Sequence, residues 1–492
     1  MNHLTLPKSS RKSVITSLLV IIAVGIFQLS TIRGGHDWGD DFGMYVGHAR
    51  NIVEGRPYSD TGYVFNPEKI IGPKTYPPAL PLLLAPVYRV FGIDFRAMKA
   101  MLVMVFLLSL SMILLAFRYD LPWPYMPALL ALVGFNPVFW MFKDIIATDM
   151  IFLAPLYFSF YFIHRAFRAE SRIKIRDIVI IAGAIYLAYG TRAIGIVLIP
   201  CLIVWIMMIS VKPIRAAAVI TVITAALIFI QARASHAFTD YVGHFGFNSI
   251  ERTADMTRQL IGYFSSYWSN GYSNGAKLVF FFTLSALAAI GLAGRIRKIT
   301  MFELFVPSYV IPLVVLPITL EQRYCMPLIP IFIFYVLLGI RSLTRLTGNQ
   351  AVEKFVLATV LAVALLGYAG VYSRQDFGPI KNGVTAPEAL ELFDYVRKEI
   401  GEKEVIIFRK PRALSLFTGR PAGVWHSPIN DDELWEFFDG VNAAYLIAGP
   451  PWVEPRDQAY IQDFISRYRD RFSETYSNDS FRVYRINRAL AD

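Results

Sequence analysis

Charge is scarce in this 492-residue chain: Asp, Glu, Lys and Arg make up 17% of it, where soluble domains carry about a quarter. The deficit is uneven. Apolar stretches of transmembrane length recur from Ser13 to Tyr372 and then stop. A single water-soluble core has no use for repeated uncharged runs of about 20 residues, so a soluble globular protein is excluded. Cysteine is nearly absent. Cys201 and Cys325 both lie in or beside apolar stretches, which excludes a disulfide framework and a cysteine-based metal site. Heptads, internal repeats, low-complexity tracts and a glycine-rich phosphate loop are missing too.

What is present is a ladder of hydrophobic spans, about eleven at a length of roughly 20 residues each. They read as 13–30, 98–117, 125–142, 148–164, 177–191, 194–210, 215–232, 277–294, 302–319, 326–340 and 355–372. The stretch 79–93 is short and proline-broken, and is expected to lie as a helix at the outer interface. Lys8, Arg11 and Lys12 precede the first span and no small-residue cleavage site follows it, which reads as a retained signal anchor. With the N-terminus inside, the short inner turns hold fourteen Lys and Arg residues, Arg172, Lys212 and Arg297 among them. The short outer turns hold only Lys143, Arg192 and Arg323. That asymmetry sets the orientation. It also accounts for a net charge of +11 better than nucleic-acid binding does. The outer side then receives the loops 31–97 and 233–276 and everything after Tyr372.

The fold class that follows is an α-helical polytopic membrane protein, residues 1–372, with a small C-terminal α/β extracytoplasmic domain, residues 373–492. In the tail, 387–400, 412–417, 431–438 and 455–471 have helical patterns. Strands are expected at 405–408, 444–448, 472–477 and 481–486, the last two around an Asn478-Asp479 turn. Helices alternating with strands predict a layered sheet.

Unexplained polar residues gather on the outer face. Asp37, Asp40 and Asp41 follow span one, ahead of a plausible helix at 42–54. One aspartate there is explained as a helix cap. Three suggest more: a general base, or a pair able to take Mg²⁺ or Mn²⁺, which the pattern allows without requiring. His36 and His48 lie nearby, but two histidines without an HExxH motif are too few ligands for zinc. The turn FKDIIATDM brings Lys143, Asp144 and Asp149 to the same level, TRAIG brings Arg192, and LEQRYCMP brings Glu321, Arg323 and Tyr324. Charges at membrane depth are costly, and each is weighed as functional against a snorkelling anchor or a solvated turn. Lys74 and Tyr76, ahead of Pro77-Pro78, stand on a rigid turn that can close over the bundle.

Four segments carry a resemblance: DDFGMYVGHARNIVEGRPY, TYPPALPLLLAPVYRVFG, KDIIATDMIF and EQRYCMPLIPIF. In this order and on one side, the chain resembles the GT-C class of membrane glycosyltransferases, the group of protein O-mannosyltransferases and lipid A aminoarabinose transferases. The resemblance covers about residues 13–372. It implies an inverting hexosyl or pentosyl transferase of the cytoplasmic (inner) membrane. A sugar would pass from a polyprenyl-phosphate carrier to a hydroxyl of a glycolipid, polysaccharide or protein on the outer face. Asp41 matches the class's catalytic aspartate by its spacing to Tyr45, with Asp40 beside it. Arg192, Arg323 and Lys74 would hold the leaving phosphate. Asp-Asp-Phe and Glu-Gln-Arg-Tyr depart from the commoner Asp-Glu and Glu-Arg-Tyr patterns, which leaves sugar and acceptor open. The competing readings are a transporter or lipid flippase, and a non-catalytic assembly or sensor protein. Against the first, the charges sit at the outer rim rather than at mid-membrane, and no inverted repeat is visible.

Overall fold

The computed structural model describes residues 11–66, 73–168, 173–208, 214–235, 247–268, 273–296, 298–346, 348–426, 430–453 and 458–487. Lys8, Arg172, Lys212, Arg297 and the start of the 455–471 helix lie outside the described residues, as does part of the 233–276 loop.

Among the described residues, seven helices are long and apolar enough to cross a membrane. They are Arg11–Ser30, Phe95–Phe117, Asp149–Phe167, Ile214–Arg233, Asn274–Ala293, Gln322–Leu346 and Gln350–Tyr372. The chain is a multi-pass membrane protein. The other four expected spans fall on shorter helices, and the sequence explains two of them. The 125–142 stretch breaks into Tyr125–Gly134 and Pro137–Phe142, because Asn136 caps the second piece through Val138 N and Pro137 opens it. Met301–Val315 starts on a Thr300/Glu303 capping box, carries Pro307 and Pro312, and ends at the extended Leu316. The remaining two are Ile175–Thr191 and Ala193–Met208.

The first loop folds into two helices, Asp41–Glu54 and Ala79–Phe91, which pack on each other. Asp41–Glu54 is buried from Phe42 to Ala49, so it lies inside the protein rather than on it. Ala79–Phe91 buries Leu80 and Leu84 but exposes Leu82, Leu83, Val90 and Phe91. An apolar exposed stripe on a helix beside a bundle belongs in the membrane interface.

The α/β unit is one mixed sheet drawn from two distant parts of the chain. Its strands are β1 (Tyr63–Val64), β2 (Val405–Ile407), β3 (Ala422–Gly423), β4 (Ala443–Ala448), β5 (Phe472–Ser477) and β6 (Arg482–Ile486). They run in the order β1-β3-β2-β4-β6-β5. β1, β3, β2 and β4 are parallel neighbours, and β6 and β5 close the sheet antiparallel. β1 comes from the first loop, so that loop and the tail share a sheet. They share a core as well. Trp38 packs among Phe393, Phe408 and Phe481, with centroids 5.6–5.9 Å away. Two backbone bonds of 2.9 Å, from Ile380 N to Gly34 O and from Val384 N to His36 O, stitch the start of the tail to the end of the first span.

Candidate active site

Asp40 and Asp41 are adjacent in sequence, and their side chains serve different neighbours. Asp40 sits at the N-cap of Asp41–Glu54 but makes no capping bond to that helix. Its Oδ1 accepts instead from Arg412 N and Ala413 N, at 3.1 and 3.2 Å. Those amides open the helix Pro411–Thr418 of the tail. Asp40 is therefore a cap, of a helix more than 370 residues away. Gly43 makes that contact possible: a Cβ there would stand 2.7 Å from the Arg412 carbonyl and 2.8 Å from Ala413 N.

Asp41 is the more open of the two adjacent aspartates, its side chain 32% exposed against 20% for Asp40. Its Oδ1 accepts from Tyr76 Oη at 2.6 Å and from Arg412 Nη1 at 3.2 Å, and its Oδ2 accepts from Arg323 Nη1 at 3.2 Å. Tyr76 is held by the Pro77-Pro78 turn and stacks on Tyr45 at 4.7 Å. Arg323 continues the chain of charges to Glu321 at 2.9 Å and to Asp149 Oδ2 at 3.6 Å, and Asp149 pairs with Arg192. The Tyr324 ring lies 5.0 Å from the Arg192 guanidinium and 5.6 Å from that of Arg323. Arg323 Nε is buried with no hydrogen-bond partner among the described residues. The site thus has an arginine donor to spare.

Of the residues singled out from sequence, the structure brings together Asp40, Asp41, Tyr76, Asp149, Arg192, Arg323 and Tyr324. Lys74 is exposed, two residues before Tyr76. Lys143 and Asp144 are directed elsewhere, which corrects their grouping with the site. Asp144 accepts from Lys143 at 2.6 Å and from Arg33 N at 3.0 Å, and its Oδ1 lies 3.5 Å from Lys99 Nζ. All three side chains are buried, and Lys99 also donates to the carbonyls of Arg33 and Gly35. This is a staple that fixes the exit of the first span. Asp37 turns to His36 and Gly39 N. The histidines are staples too. His36 Nε2 accepts from Ile146 N, and His48 donates through Nδ1 to Tyr58 O while its Nε2 accepts from Tyr76 N. Among the described residues, no group of three His, Cys, Asp or Glu is placed to hold a metal ion.

Two members of the site were not singled out from sequence: Arg412, placed only at the start of a short tail helix, and Tyr63. The Arg412 guanidinium is sandwiched between the rings of Tyr63 and Tyr76, 4.8 and 5.3 Å from their centroids. No local signal marks either residue, because both reach the site through the sheet formed with the tail.

Electrostatics separate the two aspartates. Burial pushes the Asp40 carboxyl up, and Arg412 and Lys410 do not fully offset it, so it stays above the ordinary value. Burial also pushes Asp41 up, but Arg412, Arg323 and the Tyr76 hydroxyl outweigh it and hold Asp41 below that value. Burial, reinforced by the Asp41 charge, carries the Tyr76 phenol well above its own, so it remains a donor. Burial keeps His48 neutral, drawing it down to about 4.

The helical bundle with its small α/β unit has a GT-C-like polytopic membrane fold. Two solved structures share it over nearly their whole lengths. ArnT from Cupriavidus metallidurans bound to undecaprenyl phosphate matches with a TM-score of 0.56 and 12% identity, over 98% of this chain and 99% of that one. The same protein in the apo state matches with a TM-score of 0.58 and 12% identity, over 96% and 97%. No family model matches the sequence, and no curated protein matches it significantly.

Proposed function

We propose that the protein transfers a sugar from a polyprenyl-phosphate carrier to an acceptor hydroxyl on the outer face of the cytoplasmic membrane, with Asp41 as general base. The observation that carries this reading is the convergence of Tyr76, Arg323 and Arg412 on the single carboxylate of Asp41. The match to a fold whose solved example binds undecaprenyl phosphate supports the class of carrier. In the proposed step the acceptor oxygen forms a bond to the anomeric carbon and gives its proton to Asp41. The bond from that carbon to the phosphate oxygen breaks, its electron pair leaves with the carrier phosphate, and the anomeric centre inverts.

The leaving phosphate gains charge in a site partly closed to water, where preorganised donors act most strongly. Arg323, with its spare Nε, and Arg192 beyond Asp149 are the donors suited to it. The cluster Asp40, Asp41, Asp149 and Glu321 faces Arg192, Arg323 and Arg412, with Lys410 near Asp40, so it is balanced before any phosphate arrives and the phosphate charge calls for a further cation. Lys74 is the proposed supplement. As the phosphate draws Arg323 away, Asp41 loses a partner and becomes a better base, which couples donor binding to base strength.

The N-terminus is proposed to be cytoplasmic and the outer unit extracytoplasmic. Mass spectrometry of surface glycans from cells with and without the gene tests the activity and identifies sugar and acceptor. Unchanged glycans, together with no binding of undecaprenyl phosphate to the purified protein, would sink the reading.

A further inference from the structure

We propose that Arg412, carried by the C-terminal unit, is a positioning residue of the transfer site: its guanidinium holds Asp41 in the orientation in which that carboxylate receives the acceptor proton, and Asp40 seats Arg412 for this task. The proposal rests on Asp41 as the base. It gives the tail a part in the chemistry.

Three independent contacts fix Arg412. Its backbone N–H and that of Ala413 are gripped by Asp40 Oδ1. Its guanidinium is sandwiched by Tyr63 and Tyr76 and leaves only 7% of the side chain exposed. Nη1 donates both to Asp41 Oδ1 and to Tyr76 Oη, at 3.2 and 3.0 Å, closing a three-membered ring of polar contacts with the 2.6 Å Tyr76–Asp41 bond. Tyr63 stands in this sandwich because β1 pairs with β3, Tyr63 opposite Ala422. The tail's docking and the orientation of Asp41 are therefore one arrangement. An arginine already committed to two partners and two rings is suited to orienting a carboxylate. Arg323, 19% exposed against 7% for Arg412, is suited to the substrate.

The groups facing Asp41 are Tyr76 from the turn before Ala79–Phe91, Arg323 from the turn at 322–328, and Arg412 from Pro411–Thr418. Asp40, Lys410, Asp149, Glu321, Tyr45 and Tyr63 lie behind them.

The test uses the full chain in lipid nanodiscs, with the polyprenyl-linked sugar lipids extracted from the cells that make it as donor. Arg412→Gln is expected to lower kcat by about 10²-fold with the donor KM within a few-fold, as misorientation at a reacting centre does. Its acid limb should move to higher pH, since Asp41 loses a cationic partner. Arg412→Lys should restore part of kcat and return the limb. Asp40→Asn should speed amide exchange at Arg412 and Ala413 and lower kcat with Asp41 intact. Wild-type kcat and acid limb in Arg412→Gln would overturn the proposal. Should that variant not fold, unchanged kcat in Arg412→Lys, which lacks the planar guanidinium lying over the rings of Tyr63 and Tyr76, would overturn it instead. Absence of transfer by the wild-type protein overturns the glycosyltransferase reading itself.

Discussion

Asp41 shares its two oxygens among three donors, while Asp40, one residue earlier, spends one of its own on two backbone amides. Substitution should separate them. Asp41→Asn is expected to reduce transfer by about 10²–10⁴-fold while leaving the melting temperature near wild type, because it removes the base and keeps the shape. Asp40→Asn should lower the melting temperature by loosening the tail, and lower turnover only through the lost seating of Arg412, which thermal unfolding followed in parallel with turnover would show. His48 gives a stability prediction. Its folded pKa is depressed to about 4 from 6.5, so between those values the unfolded chain binds a proton that the folded chain refuses. Stability from this group is complete above pH 6.5 and is lost as pH falls, by about 3 kcal/mol in all. The melting temperature of wild type should fall across that window more steeply than that of His48→Gln. Equal slopes would mean that another group carries the acid sensitivity.

At the scale of elements, the turns of a bundle share a depth, and depth is what the sequence discloses. The cation asymmetry and the span lengths bring Asp149, Arg192, Arg323 and Asp41 to one level, and the structure joins them. Depth says nothing of position around the bundle. Lys143 and Asp144 lie in the same turn as Asp149, yet they face the first span and Lys99. Removing Asp144 would strand two buried ammonium groups, and breaking a buried pair costs about 3–5 kcal/mol. Asp144→Asn should therefore express poorly and melt early, and the folded fraction should bind undecaprenyl phosphate like wild type. Gly43→Ala tests the contact between Asp41–Glu54 and Pro411–Thr418. The new methyl would meet backbone atoms at 2.7–2.8 Å, which cannot rotate away. Overpacking of this kind costs about 1–3 kcal/mol. It should appear as faster amide exchange over 411–418.

Across the whole molecule, the α/β unit was the less legible half. Strands β2, β4, β5 and β6 announce themselves through β-branched and aromatic runs, but β1 (Tyr-Val) and β3 (Ala-Gly) are two residues each, too short to stand out from a loop. Without β1 the tail reads as a body of its own, and Arg412 as one more surface cation on a short helix. A contact across 371 residues has no trace in local sequence. Sidedness, by contrast, is a whole-chain property that loop charge predicts. Reporters placed after Lys174 and after Gly401 should give opposite accessibility in intact cells, and the same accessibility at both would reverse the topology.

The pairing of Tyr63 with Ala422 also sets a schedule. As the chain is threaded into the membrane from its N-terminus, the first loop is delivered early. It must then wait while some 360 further residues are made, and its edge strand and Trp38 stay uncovered until the tail arrives. Until then Asp41 has no Arg412 beside it, so the site stays unfinished throughout biogenesis. Chains cut anywhere before residue 412 are expected to leave Asp41 without this partner and to fall at least as far below wild-type turnover as Arg412→Gln.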